Sequence, residues 1–354
     1  MIPATTPHPR TVFTLPADLL ADSPPEARGV ARDDVRLLVA APTGIRHARF
    51  PELGRFLEAG DVVCVNTSAT RPAAVDGTLA GRGVVAHLAG SLDDGSWLVE
   101  IREPQGTGPA RDAAAGASVQ IAGGAVLTLL AGYPDRHRRI GSRLWVARVD
   151  AETPVLEHLD RYGRPISYGY VRGRWPLAAY QTVFARDPGS AEMPSAGRPF
   201  SDRLVTDLVA RGVVVAPVLL HTGLSSPDAR EAPIPEWFRV PAQTAELVAG
   251  AVRGGRRIVA VGTSVVRALE TATGDDGSIS ARSGWTTLVL DPGSPARTVT
   301  GLVTGWHPPQ ASHLALLEAV AGPRLVQVAY DSAVAAGYLW HEFGDACLFL
   351  PELA

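Results

Sequence analysis

The spacing of hydrophobic and polar residues divides the chain into three stretches. In the last stretch, from about residue 151, apolar runs alternate with segments in which apolar residues recur every three or four positions. Ser201 is placed to cap a helix that Gly212 ends, and the apolar run 213–220 follows. Further strands are predicted at 257–261, 300–304 and 346–350, and further helices at 242–253, 265–273 and 311–321. The repeated order of strand and helix predicts a mainly parallel sheet or barrel covered by helices.

The first stretch, up to about residue 71, continues this α/β pattern. Two buried strands are predicted at 35–40 and 61–66, where apolar residues are nearly continuous. A short helix is predicted between them over 50–59, ended by Gly60.

The middle stretch, about 72–150, has a different pattern. Glycine and aspartate turns separate short segments in which apolar and polar residues alternate, such as 97–102 and 144–149. No segment in this stretch has helical spacing. The pattern predicts a small antiparallel β-barrel or sandwich.

Composition narrows the class of protein. The 354 residues suggest about two domains, and the net charge of -3 does not indicate a general nucleic-acid-binding protein. All 33 basic residues are arginine, which together with abundant Ala, Gly and Pro indicates a GC-rich genome. One arginine-rich stretch is either a local nucleic-acid contact or a solvated hairpin; it contains Arg136, Arg138, Arg139 and Arg143.

The two cysteines and the chain's apolar runs bear on its compartment. Cys64 and Cys347 have no metal-type spacing and indicate no disulfide framework. Residues 1–10 lack the apolar core of a signal peptide, and the longest apolar run, 213–220, is far too short to span a membrane. We therefore expect a soluble, cytoplasmic protein without membrane contact.

Polar residues follow three of the predicted strands. His221 and Thr222 follow the strand at 213–220, Thr263 and Ser264 follow the next, and His307 follows the strand at 300–304. Because ligands bind at the carboxyl ends of strands in such folds, we expect these residues to converge on a site. His221 and His307 are candidate acids or bases near neutral pH, although each taken alone also fits a capped loop.

The segment starting at Gly262 joins a strand to a helix. Its backbone amides, with Thr263 and Ser264, could bind an anionic group such as a carboxylate, or form a simple helix cap. Arg267 lies within one turn and could clamp a carboxylate, or pair with Glu270 three residues later.

The remaining candidates are weaker when taken singly. Glu236 and Asp345 are spare carboxylates in loops, and Tyr180, Gln181 and Thr182 could hold a purine or ribose or satisfy loop backbone. The sequence has no Walker A pattern, dinucleotide-binding glycine motif, serine nucleophile elbow or metal-ligand constellation.

Seven motifs, in this order and spacing, resemble one family. They lie at 180–185, 194–197, 220–224, 261–270, 284–286, 301–309 and 343–346. They are similar to those of the S-adenosylmethionine:tRNA ribosyltransferase-isomerase family of queuosine biosynthesis, and the resemblance covers nearly the whole chain.

The resemblance implies an α/β fold, with a barrel-like α/β domain (1–72 and 151–354) that binds S-adenosylmethionine and an inserted small antiparallel β-barrel domain (73–150). It implies that S-adenosylmethionine is a co-substrate. Its ribosyl part passes to the aminomethyl group of a deazaguanine base in tRNA and rearranges to an epoxycyclopentane, while adenine and methionine leave. No metal is implied, and a monomer or weak homo-oligomer is expected.

Residue roles follow from the same resemblance. Four residues are candidate catalytic groups, namely His221, His307, Glu236 and Asp345. Seven are candidates for S-adenosylmethionine binding, namely Gly262, Thr263, Ser264, Arg267, Tyr180, Gln181 and Thr182. Three are candidates for substrate contact, namely Ser195, Asn66 and Trp285.

The chain departs from the family pattern at several polar positions. The segment 66–69 lacks the family's acid and arginine, the segment 196–200 lacks its histidine, and 231–236 keeps only its final glutamate. These losses leave three hypotheses besides the original tRNA activity. They are a different, small nucleoside-like acceptor, redirected S-adenosylmethionine chemistry of lyase, hydrolase or ring-forming type, and a non-catalytic S-adenosylmethionine- or nucleoside-binding protein.

Overall fold

Two β-sheets organise the computed structural model, which describes residues 8–104, 108–225 and 234–351. Residues 1–7 and residues 231–233 of the segment 231–236 therefore lie outside the described residues. The strands are β1 Arg36–Ala41, β2 Gly44–Arg49, β3 Val62–Asn66, β4 Ser68–Thr70, β5 Ala74–Leu79, β6 Arg82–Ser91, β7 Trp97–Arg102, β8 Ser118–Ile121, β9 Val126–Tyr133, β10 Leu144–Asp150, β11 Asp187–Ser190, β12 Val214–Leu220, β13 Glu236–Val240, β14 Ile258–Val261, β15 Arg282–Thr286, β16 Gly301–Gly305 and β17 Ala346–Phe349. The helices are α1 Val155–Tyr162, α2 Asp202–Ala210, α3 Ala242–Arg253, α4 Thr263–Ala272, α5 Ser312–Ala321 and α6 Pro323–Ala335.

The larger sheet has nine strands in the order β15-β13-β12-β3-β14-β16-β17-β1-β2. Its centre, β12-β3-β14-β16, is parallel, so the carboxyl ends of these four strands meet at one edge. Both faces are buried: Cys64 packs into one core and Val63 into the other. Burial on both faces explains why these strands have continuous apolar sequences.

The predicted helices are present, with one difference. Ser201 caps α2, and its Oγ accepts a hydrogen bond from the Leu204 amide. The segment predicted as a helix over 50–59 is instead a 3-10 helix, Phe50–Arg55. Pro51 near its start and Gly54 within it disfavour a longer α-helix.

The middle stretch forms a closed antiparallel barrel of six strands, β10-β7-β6-β5-β8-β9. Trp145 is fully buried inside it. Gly77 is required where β5 and β8 approach, because a Cβ there would lie 2.4 Å from the Gln120 carbonyl oxygen. The predicted fold class, α/β with a small antiparallel β-barrel, is confirmed, and the barrel rather than the sandwich is correct. The division into 1–72 with 151–354 and 73–150 remains a proposal.

The arginine-rich stretch belongs to the loop between β9 and β10. Arg136, Arg138 and Arg139 are exposed, whereas Arg143 is half-buried with its guanidinium 3.6 Å from the Glu100 carboxylate. Cys64 and Cys347 are both buried and free. Within the described ranges, no helix is long and apolar enough to cross a membrane.

A buried carboxylate on α4 holds the segment leading into β16. Glu270 is 3% exposed, and it accepts hydrogen bonds from the amides of Arg297, Thr298 and Val299 at 2.8–2.9 Å. Glu270 therefore anchors backbone. Arg267 pairs with a different carboxylate, that of Glu236.

We expect Glu270→Ala to lower the free energy of unfolding by about 3 kcal/mol, because it leaves buried amide donors without acceptors. Glu246→Ala is the matched control, since Glu246 is exposed on α3, and its effect should stay within about 0.5 kcal/mol. Urea unfolding followed by circular dichroism measures both. Equal midpoints for the two variants would contradict the anchoring role.

Candidate active site

A cavity of about 390 Å³ opens at the carboxyl ends of the central strands, and the barrel closes its other side. Residues that follow β12, β14 and β16 line one wall. Glu100 and Arg102 of β7 line the wall that the barrel contributes. The volume falls in the range of roughly 300–1,000 Å³ that is usual for small-ligand pockets.

The predicted convergence of strand-end residues is present for three strands. Thr222, Thr263, Ser264 and His307 all line the cavity. His221 does not line it. Its Nδ1 lies 2.8 Å from Ser68 Oγ, and its ring stacks on Trp237.

The first turn of α4 faces the cavity with its amides. Gly262 has φ +93°, a conformation that favours glycine, and a Cβ there would lie 3.3 Å from that of Ala196. No side chain caps this helix start, so the amides of Thr263 and Ser264 have no side-chain acceptor, and both residues line the cavity. The positive end of the helix dipole adds to an anion-binding surface.

Arg267 and Glu236 form an ion pair in the cavity wall, both largely buried. Arg267 also donates to the carbonyls of Thr286 and Leu288, at 3.2 Å each. The Glu236 carboxylate also accepts a hydrogen bond from the Gly223 amide at 2.7 Å. Three of the five guanidinium N–H groups are engaged with protein acceptors, which leaves two for a ligand.

Histidines line the wall between β16 and α5. The rings of His307 and His313 stack with centroids 4.5 Å apart, and His307 Nε2 lies 3.1 Å from Thr304 Oγ1. Burial lowers the pKa of His307 well below its usual value and that of His313 to about 4. Both imidazoles are therefore neutral at pH 7.

Tyr180 and Ser195 line the cavity, while Gln181, Thr182 and Asn66 do not. Gln181 exchanges two hydrogen bonds with the Thr70 backbone, and Thr182 Oγ1 accepts from the Phe184 amide. These residues support the wall.

Asp345, Asn66 and Trp285 also lie away from the cavity. Asp345 is bound by the Arg36 guanidinium and by two backbone amides. Asn66 bridges Leu220 and Ser264. Trp285 is 43% exposed, and its indole donates to Asp93.

The structure adds residues to the cavity that the sequence did not single out. They are Tyr168, Tyr170, Glu192, His313, His341 and Glu342. The Tyr168 hydroxyl donates to Glu192, and the Tyr170 hydroxyl donates to Glu342 at 2.5 Å. A signal did exist for some of them, because His341 and Glu342 directly precede the motif at 343–346 and His313 follows His307 by six residues.

This arrangement suits a ligand that carries both signs of charge. The α4 amides and Arg267 offer donors to a carboxylate, while Glu192 and Glu342 offer carboxylates to a cation. The indole nitrogen of buried Trp306, another lining residue, has no hydrogen-bond partner among the described residues and is a further donor. No cluster of three or more His, Cys, Asp or Glu side chains suited to a metal ion occurs in the described ranges.

Comparisons with known proteins agree with this fold and identify a family. A family model described as "Queuosine biosynthesis protein" matches residues 10–349. S-adenosylmethionine:tRNA ribosyltransferase-isomerases of Moorella thermoacetica and Desulfitobacterium hafniense are 34% and 33% identical to this chain, each over 96% of this chain and 98% of the relative.

A solved structure is similar over the same length. The crystal structure of an S-adenosylmethionine tRNA ribosyltransferase from Thermotoga maritima matches with a TM-score of 0.53 and 27% identity, covering 96% of this chain and 99% of that one. The resemblance predicted from the motifs is therefore confirmed. By sequence and fold, this chain belongs to the queuosine biosynthesis protein family, whose named relatives are S-adenosylmethionine:tRNA ribosyltransferase-isomerases.

Proposed function

We propose that this protein transfers and isomerises the ribosyl group of S-adenosylmethionine, with release of adenine and methionine. The observation that carries the proposal is the likeness to relatives named for this activity, at 34% identity over 96% of the chain. The cavity supports it independently, because it offers separate partners for the carboxylate and for the cationic centres of S-adenosylmethionine.

In this proposal the α4 amides and Arg267 hold the methionine carboxylate. Tyr180 and Ser195, which also line the cavity, contact the nucleoside part. The sulfonium lies toward Glu192 and Glu342, whose negative charges favour a cation.

His307 and Glu236 are the predicted catalytic residues that reach the cavity. Neutral His307 can accept a proton from the carbon beside the sulfonium, whose acidity the positive sulfur raises. The Glu236 carboxylate forms an ion pair with the Arg267 guanidinium. We therefore assign Glu236 the role of positioning Arg267. His221 and Asp345 make their hydrogen bonds outside the cavity, so we assign them support of the wall.

The relatives' names indicate tRNA as the acceptor. We propose a deazaguanine-modified tRNA as the first acceptor to test, with a small nucleoside-like amine as the alternative. The departures at 66–69 and 196–200 favour testing both, because they remove polar groups that the family pattern contains.

We expect adenine and methionine to be released when the protein is incubated with S-adenosylmethionine and an aminomethyl-deazaguanine tRNA. The same mixture without tRNA is the control, and chromatography quantifies both products. Release in the control would mean redirected chemistry. No release in either tube, with binding of S-adenosylmethionine by calorimetry, would contradict tRNA as the acceptor.

Arg267→Ala should weaken S-adenosylmethionine binding by about 1.5–3 kcal/mol, because it removes charged hydrogen bonds to the carboxylate. Arg282→Ala is the matched control, since Arg282 is exposed on β15 and donates to the Thr271 carbonyl. Calorimetry measures both dissociation constants. An unchanged constant for Arg267→Ala would remove this residue from the binding site.

A further inference from the structure

Two buried carboxylates line the same cavity but differ in how many of their oxygens already accept hydrogen bonds from the protein. Glu192 is committed at both oxygens: Oε1 accepts from the Tyr168 hydroxyl, and Oε2 accepts from the Ser225 amide and hydroxyl at 3.2 and 2.6 Å. Glu342 Oε2 accepts from the Tyr170 hydroxyl, whereas its Oε1 accepts no hydrogen bond from any other described residue, and the only further donor to the carboxylate is its own backbone amide. Glu342 is therefore the carboxylate with an oxygen available to a ligand.

The backbone and the neighbouring rings fix the position of Glu342. His341 has φ +69°, which is uncommon for a residue other than glycine and costs free energy. The ring of His341 stacks on Tyr170 at 4.2 Å, and Tyr170 in turn lies 6.2 Å from Tyr168. The carboxylate thus sits on a rigid aromatic support, as a group that must meet a reacting atom requires.

The surroundings give Glu342 a proton affinity near neutrality. Burial, and then the charge of Glu192, raise its pKa to about 6, while the hydrogen bond from Tyr170 opposes them. The titratable groups that interact with it are Tyr170, Tyr180 and Glu192. The other charged or titratable groups that border a second, smaller cavity with it are His341, Arg32, Arg198 and Asp345. Burial lowers the pKa of His341 to about 4, so this histidine loses its proton well below the carboxyl. Arg198, which borders this smaller cavity, is paired with Glu26.

We propose that Glu342 is the catalytic base that deprotonates the attacking amine of the acceptor, with Tyr170 as its positioning residue. This inference rests on the proposed function, in which an amine receives the ribosyl group. An ammonium cannot attack carbon, because its nitrogen has no lone pair. One N–H bond breaks, an O–H bond forms at Oε1, and the freed electron pair forms the new bond from nitrogen to the ribose carbon. The bond from that carbon to adenine breaks, and its electron pair leaves with adenine.

The deciding measurement is the rate of adenine release by Glu342→Gln from pH 5 to 9.5, with saturating S-adenosylmethionine and acceptor. At pH 7 we expect a loss of roughly 10²-fold or more, with S-adenosylmethionine still bound. The variant's rate should then rise about tenfold per pH unit toward the pKa of the free amine, near about 10 for an alkylamine. The wild type should be level above pH 7 and lose activity as the pH falls through about 6.

Glu192→Gln and Tyr170→Phe are matched controls that should shift the acid limb of the pH–rate profile in opposite directions. Removing the charge of Glu192 should move the acid limb of the profile to lower pH, because that charge raises the pKa of Glu342. Removing the Tyr170 hydroxyl should move it to higher pH, because that hydrogen bond stabilises the carboxylate.

Several results would overturn this role. Wild-type rates in Glu342→Gln, or a loss that no rise in pH restores, would exclude a base for the amine. If Glu342→Gln fails to bind S-adenosylmethionine, the two control variants decide. An acid limb that stays at the wild-type pH in both of them would exclude Glu342 as the base. A wild type that releases no adenine with any amine acceptor would instead overturn the proposed function itself.

Discussion

The side-chain amide of Asn66 joins the chain segments from which the cavity is built. Its Oδ1 accepts from the amides of Ser68 and Leu220, and its Nδ2 donates to the Leu220 carbonyl and to Ser264 Oγ. Four hydrogen bonds from one buried side chain therefore align the ends of β3 and β12 with the first turn of α4. A buried amide left partly unpaired would be costly, so this junction tolerates little displacement. These hydrogen bonds therefore fix the position of the anion-binding turn at Gly262 relative to the ends of the other strands.

Burial sets the charge state of the titratable groups that line the cavity. The histidines His313 and His341 are neutral because burial disfavours the imidazolium, and burial raises the pKa of the Glu342 carboxyl for the same reason. Glu192 and Glu342 lose favourable interactions with water when they are buried, and a neutral ligand does not replace them. A ligand that carries a sulfonium and an ammonium offsets that loss by pairing with the carboxylates. The buried carboxylates thus favour a cationic ligand.

The sequence predicted the scaffold better than the site, and the reason is physical. Strand and helix periods are local, so the α/β order and the ends of β12, β14 and β16 could be located from residue spacing. The pair of Tyr170 and Glu342 joins positions 172 residues apart, and no local period marks either one. The sequence singles out Asp345, which belongs to a motif, yet the Asp345 carboxylate is paired with the Arg36 guanidinium. The roles of individual site residues stay predictions.

The departures from the family pattern do not leave a damaged site. In the segment 66–69, Ser68 Oγ bonds to Ser190 Oγ at 2.6 Å and to His221, and Gly189 makes room for that imidazole, since a Cβ there would lie 2.2 Å from the ring.

In the segment 196–200, which lacks the family's histidine, buried Arg198 is paired with Glu26 and donates to the Ala179 carbonyl. Decay of an unused site leaves buried polar groups without partners, because nothing then selects for their replacement. The substituted positions described here have partners. The partners of Ser68 and Arg198 favour a site that has been rebuilt around a working cavity over a non-catalytic remnant.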